Sequence, residues 1–191
     1  MIEFVQRRKW WLWGIICLGA LIALFERWRS YRENSQDQFI LAAAARYRVD
    51  AALVKAVVWR ESYFNPNARG ASGEYGLMQI MPDTGREWAQ AEGVTLFLER
   101  QLFDPGKNTQ AGSWYLRKQL HRYRAADNPV PYALAAYNAG PGRADRWSKG
   151  AAATNSAAFL RQIDFPGTKR YVESVLRRHQ LYRKTFPPKK P

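Results

Sequence analysis

Residues 50–66, "DAALVKAVVWRESYFNP", decide how the chain is read. Asp50 is a residue type that caps helix N-termini. After it come the apolar residues of "AALVKAVVW" (51–59), and Asn65-Pro66 then breaks the pattern. Val54, Val57, Val58 and Glu61 recur at i, i+3, i+4 and i+7, which predicts a helix over 51–62 with Glu61 prolonging its apolar stripe. A carboxylate placed there loses water and faces the negative end of the helix dipole. Both effects favour its neutral form and make Glu61 a candidate general acid. The competing reading is a helix-end glutamate that bends round to Arg60 or another arginine, and position alone leaves both open.

Working outward, the same helical period recurs and no sustained strand-type alternation appears, so the fold class is predominantly all-α. The further predicted helices are 36–47, 83–91, 107–123, 130–138, 141–148, 155–163 and 167–184, with Gly73, Gly76, Asp104-Pro105-Gly106, Asn128-Pro129 and Gly140-Pro141-Gly142 between them. Of the 191 residues, 47% are hydrophobic and 14% aromatic, a composition that folds around a core instead of staying disordered. The expected organisation is an N-terminal segment (1–30), a polar linker (31–37), one domain (38–185) and a basic tail (186–191).

The N-terminal segment carries "RRK" (7–9), an apolar run from Trp10 to Phe25, and then "ERWRSYRENS". The run is apolar on every side, and its tryptophans suit membrane interfaces. No small-residue cleavage site follows it, and Ile16 before Cys17 spoils a lipoprotein signal. The expectation is therefore an uncleaved signal anchor, with a cleaved signal or a buried core helix as alternatives. Cys17 is the lone cysteine, so no disulfide forms within the chain, and His121 and His179 lack metal-ligand spacing. Metal and cofactor are both read as none. Net charge is +14, of which residues 1–30, with five Lys/Arg against Glu3 and Glu26, carry +3. A basic domain seeks an anionic partner: nucleic acid, an acidic membrane or a carboxylate-bearing polymer.

Two glycine-containing segments are unusually apolar for turns. "YGLMQIMP" (75–82) and "ALAAYNAGPG" (133–142) set Gln79, or Tyr137 with Asn138, among small apolar residues, as a cleft that recognises neutral polar groups would. Taken together, "ESYFNPNARGASGEYGLMQIMPDT" (61–84), "DPGKNTQAGSWYLRKQL" (104–120), "YALAAYNAGPGRADRW" (132–147) and "FPGTKRYVESVL" (165–176) resemble the catalytic domain of the soluble lytic transglycosylases, the lysozyme-like enzymes that cleave bacterial peptidoglycan. The resemblance spans about residues 38–183. It implies a lysozyme-like helical domain, glycan strands of peptidoglycan as partner, and cleavage of the β-1,4 bond between N-acetylmuramic acid and N-acetylglucosamine. By the same resemblance Glu61 matches the sole catalytic carboxylate, acting as acid and then as base to leave a 1,6-anhydromuramic end. Ser62 matches the adjoining serine, Met78 and Gln79 the cleft residues of their segment, Tyr137 and Asn138 theirs, and Tyr171 a late tyrosine that reaches toward the acid.

The chain departs from that pattern in three places. Gly70 stands where many relatives have a hydroxyl residue, with Ser72 the nearest candidate substitute. Glu74 replaces a frequent alanine, and a late Glu-Thr pair reads Gly167-Thr168. Glu74 is read as a solvated loop residue or as a second carboxylate near the cleft. A peptidoglycan substrate would place the domain on the periplasmic side of the inner membrane, held by a single span, or free of it if the segment is cleaved. The alternatives are a hydrolytic muramidase like the goose-type lysozymes, a non-catalytic wall-binding scaffold for envelope machinery, and a membrane-tethered nucleic-acid binder. The last rests on charge alone, since the basic residues are scattered and carry no binding motif, and no nucleic-acid partner is expected.

Overall fold

The computed structural model describes residues 2–186, apart from the side chains of residues 2–12 and 14. The chain divides after Gln36 into two compact units. The first is one continuous helix, α1 (Ile2–Asn34). It runs through most of the stretch read as a polar linker, because "WRSYREN" contains no Gly or Pro and is rich in helix formers; only Ser35 and Gln36 form the turn that follows. The described apolar side chains Ile15, Ile16, Leu18, Leu21, Ile22 and Leu24 are all exposed, which removes the buried core helix for that part. Among the described residues no helix is long and apolar enough to cross a membrane. The apolar run read from the sequence begins at Trp10, ahead of the first described side chain, Trp13.

The second unit is built from α2 (Asp37–Tyr47), α3 (Ala51–Ser62), α4 (Pro82–Ala91), α5 (Pro105–Arg122), α6 (Val130–Ala139), α7 (Pro141–Trp147), α8 (Ser156–Gln162) and α9 (Pro166–Thr185). Two 3-10 turns, Glu99–Phe103 and Gly150–Ala153, were not anticipated from the sequence. Extended pairing among the described residues is limited to the isolated bridges Arg69–Tyr75 and Tyr75–Ile80, so the domain is all-α.

Helix α3 starts where the sequence places it: the Asp50 side chain accepts from the Ala52 N–H at 2.9 Å. The expected stripe is instead a helix buried all round from Ala52 to Val58, because α2 and α9 both pack on it. Each buried Val or Leu contributes roughly 1.5–3 kcal/mol there. Helix α6, buried from Pro131 to Ala136, is the second central helix, packed by α5, α7 and α9. Stacking of Tyr132 on Phe159, with ring centroids 3.9 Å apart, ties α6 to α8.

α3 does not wait for Asn65-Pro66 to stop. Tyr63 and Phe64 both adopt left-handed backbone, at φ 49° and 61°, and end it at Ser62. For non-glycine residues this costs about 1–2 kcal/mol each. Burial of Phe64 and packing of Tyr63 on Trp59, at 5.4 Å between centroids, offset that cost. Phe186, read as the first residue of the tail, is buried against the core; the rest of the predicted tail, 187–191, lies outside the described residues.

Candidate active site

The two central helices, α3 and α6, both finish beside the loop that joins α3 to α4. Glu61 occupies the last turn of α3 and is half-buried. From α9, the buried Tyr171 hydroxyl donates to Glu61 Oε1 at 2.6 Å. Desolvation pushes the Glu61 carboxyl from an ordinary 4.5 up to about 7. The Tyr171 hydrogen bond and the Arg60 charge pull the other way, and the negative charge of Glu74 adds to the rise. The alternative in which Arg60 pairs with this carboxylate does not occur: its guanidinium lies over the Tyr171 ring, 5.4 Å from the centroid. The result is an acid that still reaches solvent and is divided between protonated and ionised forms near neutral pH.

Tyr137, in the last turn of α6, donates its hydroxyl to the Met78 carbonyl at 2.8 Å and packs against Tyr115 of α5 at 5.5 Å between centroids. Burial first, and then the charge of Glu61, hold the Tyr137 and Tyr171 phenols well above their ordinary 10.0. Both therefore remain neutral donors beside the acid at any physiological pH. Tyr115 was not singled out from the sequence, and its phenol too is raised by burial.

The loop 65–81 forms the wall beside Glu61. Gly70 N–H donates to the Glu74 carbonyl (2.9 Å), and Tyr75 and Ile80 exchange backbone hydrogen bonds at 3.0 and 2.9 Å. Gly76 takes φ +71°, and a Cβ there would lie 2.5 Å from Asn108 Nδ2, so glycine is required on both counts. Gln79 is left-handed at φ 48°; its Nε2 donates to the carbonyls of Gly76 (2.9 Å) and Ala68 (3.3 Å), and its amide oxygen lies beside Gly70, 2.7 Å from where a Cβ there would sit.

Asn108, in the first turn of α5, holds this wall from behind. It is wholly buried, accepts from Met78 N–H at 2.7 Å, and donates to the Tyr75 and Leu102 carbonyls, each at 2.7 Å. It lies inside a motif quoted for the resemblance, and the available signal was an uncharged amide on the apolar side of a helix start.

The other expected site residues fall in different places. Ser62 is half-buried, with its hydroxyl 2.8 Å from the Leu77 carbonyl and 3.2 Å from that of Val58, so it ties α3 to the loop. The Met78 side chain, expected to line the cleft, is wholly buried: it packs on Gly112, where a Cβ would sit 2.8 Å from Met78 Cβ. What Met78 presents is its backbone carbonyl. Ser72 is exposed and contributes its N–H to Glu74 Oε2 at 3.0 Å. Asn138 is exposed at the end of α6. The structure thus brings Tyr171, Tyr137 and Glu74 within electrostatic reach of Glu61 and sets Gln79 beside Glu74 at Gly70, with Ser62, Met78 and Asn108 bracing the loop.

Known proteins share this arrangement of helices. A family model described as a transglycosylase SLT domain matches residues 38–160. The soluble lytic murein transglycosylase of Escherichia coli (strain K12) is 35% identical over 130 residues, which cover 67% of this chain and 20% of that protein. An inactive mutant of the lytic transglycosylase Slt from Pseudomonas aeruginosa aligns over 80% of this chain and 24% of its own, at 30% identity and a TM-score of 0.71. A complex of the 70-kDa soluble lytic transglycosylase with bulgecin A aligns over 87% of this chain and 27% of its own, at 27% identity and a TM-score of 0.74. The chain therefore spans about a fifth to a quarter of the length of these relatives.

Proposed function

The chain belongs to the transglycosylase SLT domain family, and on that premise we propose that it is a peptidoglycan lytic transglycosylase with Glu61 as its single acid and base. The observation that carries this reading is a carboxyl group held at about 7 by burial and aimed by a 2.6 Å hydrogen bond from Tyr171. Protonated Glu61 gives its proton to the glycosidic oxygen between N-acetylmuramic acid and N-acetylglucosamine, and the bond to the anomeric carbon breaks as positive charge develops there. Ionised Glu61 then takes the proton of the muramic acid C6 hydroxyl as that oxygen bonds to the anomeric carbon. The products are a free 4-hydroxyl and a 1,6-anhydro end, with no water consumed. The Tyr171 hydroxyl fixes the carboxylate through both steps, and Gln79 and the exposed Asn138 are the neutral groups assigned in this reading to sugar hydroxyls and N-acetyl groups, since they add no positive charge that would lower the acid's pKa.

Hydrolysis is the second reading, and Glu74 favours it, because a hydrolase needs another carboxylate to activate water and Glu74 is within Coulombic reach of Glu61. Digestion of purified sacculi followed by mass spectrometry decides between them: anhydro ends are lighter by one water than reducing ends. A non-catalytic scaffold would release no fragments, and Glu61→Gln would leave its phenotype unchanged.

The apolar run from Trp10 to Phe25 is proposed as a membrane anchor with the domain on the extracytoplasmic side, where peptidoglycan lies. Support comes from the exposed apolar side chains between Ile15 and Phe25, and from a +11 charge on the remaining residues that suits muramoyl-peptide carboxylates and acidic lipid. A C-terminal reporter that works only in the cytoplasm would refute that placement.

A further inference from the structure

Glu74 and Gly70 differ from the family pattern separately in sequence, yet in space they are one feature. A Cβ on Gly70 would sit 2.8 Å from Glu74 Cδ and 2.7 Å from Gln79 Oε1, distances that real Cβ atoms do not show. The Glu74 side chain therefore folds back over position 70 into the volume that any larger residue there would fill. It is held by the Ser72 N–H on its Oε2 at 3.0 Å, and by the Gly70 N–H on its own carbonyl at 2.9 Å. Glu74 is half-buried, so this carboxylate is not the freely solvated loop group that its neighbours Ala71, Ser72 and Gly73, all exposed, would suggest.

From this geometry we propose that Glu74 is a positioning residue of the active site: it occupies the place vacated by a side chain at Gly70 and acts on Glu61 through its charge. The groups that face Glu61 are Arg60 on its own helix, Tyr171 from α9, Tyr137 from α6 and Glu74 from the loop. Arg60 and the Tyr171 hydrogen bond favour the ionised carboxylate. Glu74 is the one neighbour among the described residues whose charge favours the protonated form, reinforcing desolvation. Glycine at 70 is then a requirement of Glu74: it keeps open the volume that the carboxylate occupies. This inference rests on reading Glu61 as the acid.

The test is the pH dependence of fragment release from purified sacculi by the full chain. Glu74→Gln keeps the shape and an oxygen for the Ser72 N–H but removes the charge. Its alkaline limb, where Glu61 loses its proton, is expected to move toward lower pH by roughly half a unit. Gly70→Ala, which displaces the same carboxylate, should move the limb in the same direction, and adding Gly70→Ala to Glu74→Gln should move it no further. An unmoved limb in a folded Glu74→Gln variant overturns the proposal. So does an additive shift in the double variant, since that would make the two residues independent. Glu61→Gln serves as the control: if it retains full activity, or if the wild type releases nothing, the reading of Glu61 fails. A dead Glu61→Gln variant with an unmoved Glu74→Gln limb sinks the role of Glu74 alone.

Discussion

Helix α3 carries two charged side chains into the core, Lys55 and Glu61, and the protein treats them in opposite ways. The Lys55 side chain is 3% exposed; its ammonium pairs with Asp37 at 2.7 Å and lies over the ring faces of Phe186 and Tyr182, at 4.3 and 5.3 Å. Its charge is met on several sides, so it serves as a fixed strut between α2, α3 and the end of α9. Glu61 has one hydrogen bond, from Tyr171, and no ion pair with a described residue, so burial dominates and its proton is poised to leave near neutral pH. A buried charge that is compensated is structural. One left partly uncompensated at a helix end, still in touch with solvent, is available for proton transfer.

The comparison can be broken at either end. Its largest consequence is in catalysis: Glu61→Gln should reduce fragment release by roughly 10²–10⁴-fold while the protein stays folded. Stability should move the other way. A carboxyl raised from 4.5 to about 7 contributes stability that is present below about pH 4.5 and is lost as pH rises through about 7. Thermal melting of Glu61→Gln should therefore equal the wild type in acid and exceed it above neutrality. A variant less stable at alkaline pH would show that Glu61 is a strut after all.

Lys55→Ala tests the other side. It should cost about 3 kcal/mol by denaturant unfolding, since Asp37 and the faces of Phe186 and Tyr182 lose their cation, and it should leave activity per folded molecule unchanged. Lys55→Met, which keeps the aliphatic packing but not the cation, should recover only the packing part of that cost.

Smaller effects sharpen the picture. Tyr171→Phe removes the hydrogen bond that favours ionised Glu61, so the alkaline limb should move to higher pH while the maximal rate drops about tenfold through loss of aim. Arg60→Gln should move the same limb upward, at least as far as Glu74→Gln moves it down. A merely structural disturbance would not produce limbs that move in opposite directions.

Much of this was legible in the chain itself. Asp50 and the spacing of Val54, Val57 and Val58 set α3 at 51–62, where it is found. Glu61 drew attention because a carboxylate on an apolar stripe breaks a local rule. The stop of α3 was read from Pro66 and missed the left-handed pair Tyr63 and Phe64, because nothing local favours αL at two aromatic residues; core packing of Phe64 imposes it. Met78 and Ser62 were placed by their motifs, but which atoms they present depends on Gly112 and on the Leu77 carbonyl, far away along the chain.

Sequence alone determined the helical class, the boundaries of the domain's helices within a few residues, and the identity of the candidate acid, because periodicity and capping are properties of neighbours in the chain. Tertiary structure alone decided how strongly that acid holds its proton. Burial dominates it, and Tyr171, 110 residues away, meets Glu61 only when α9 packs on α3. Desolvation and Coulomb interaction depend on distance through space, and the linear sequence does not contain that distance.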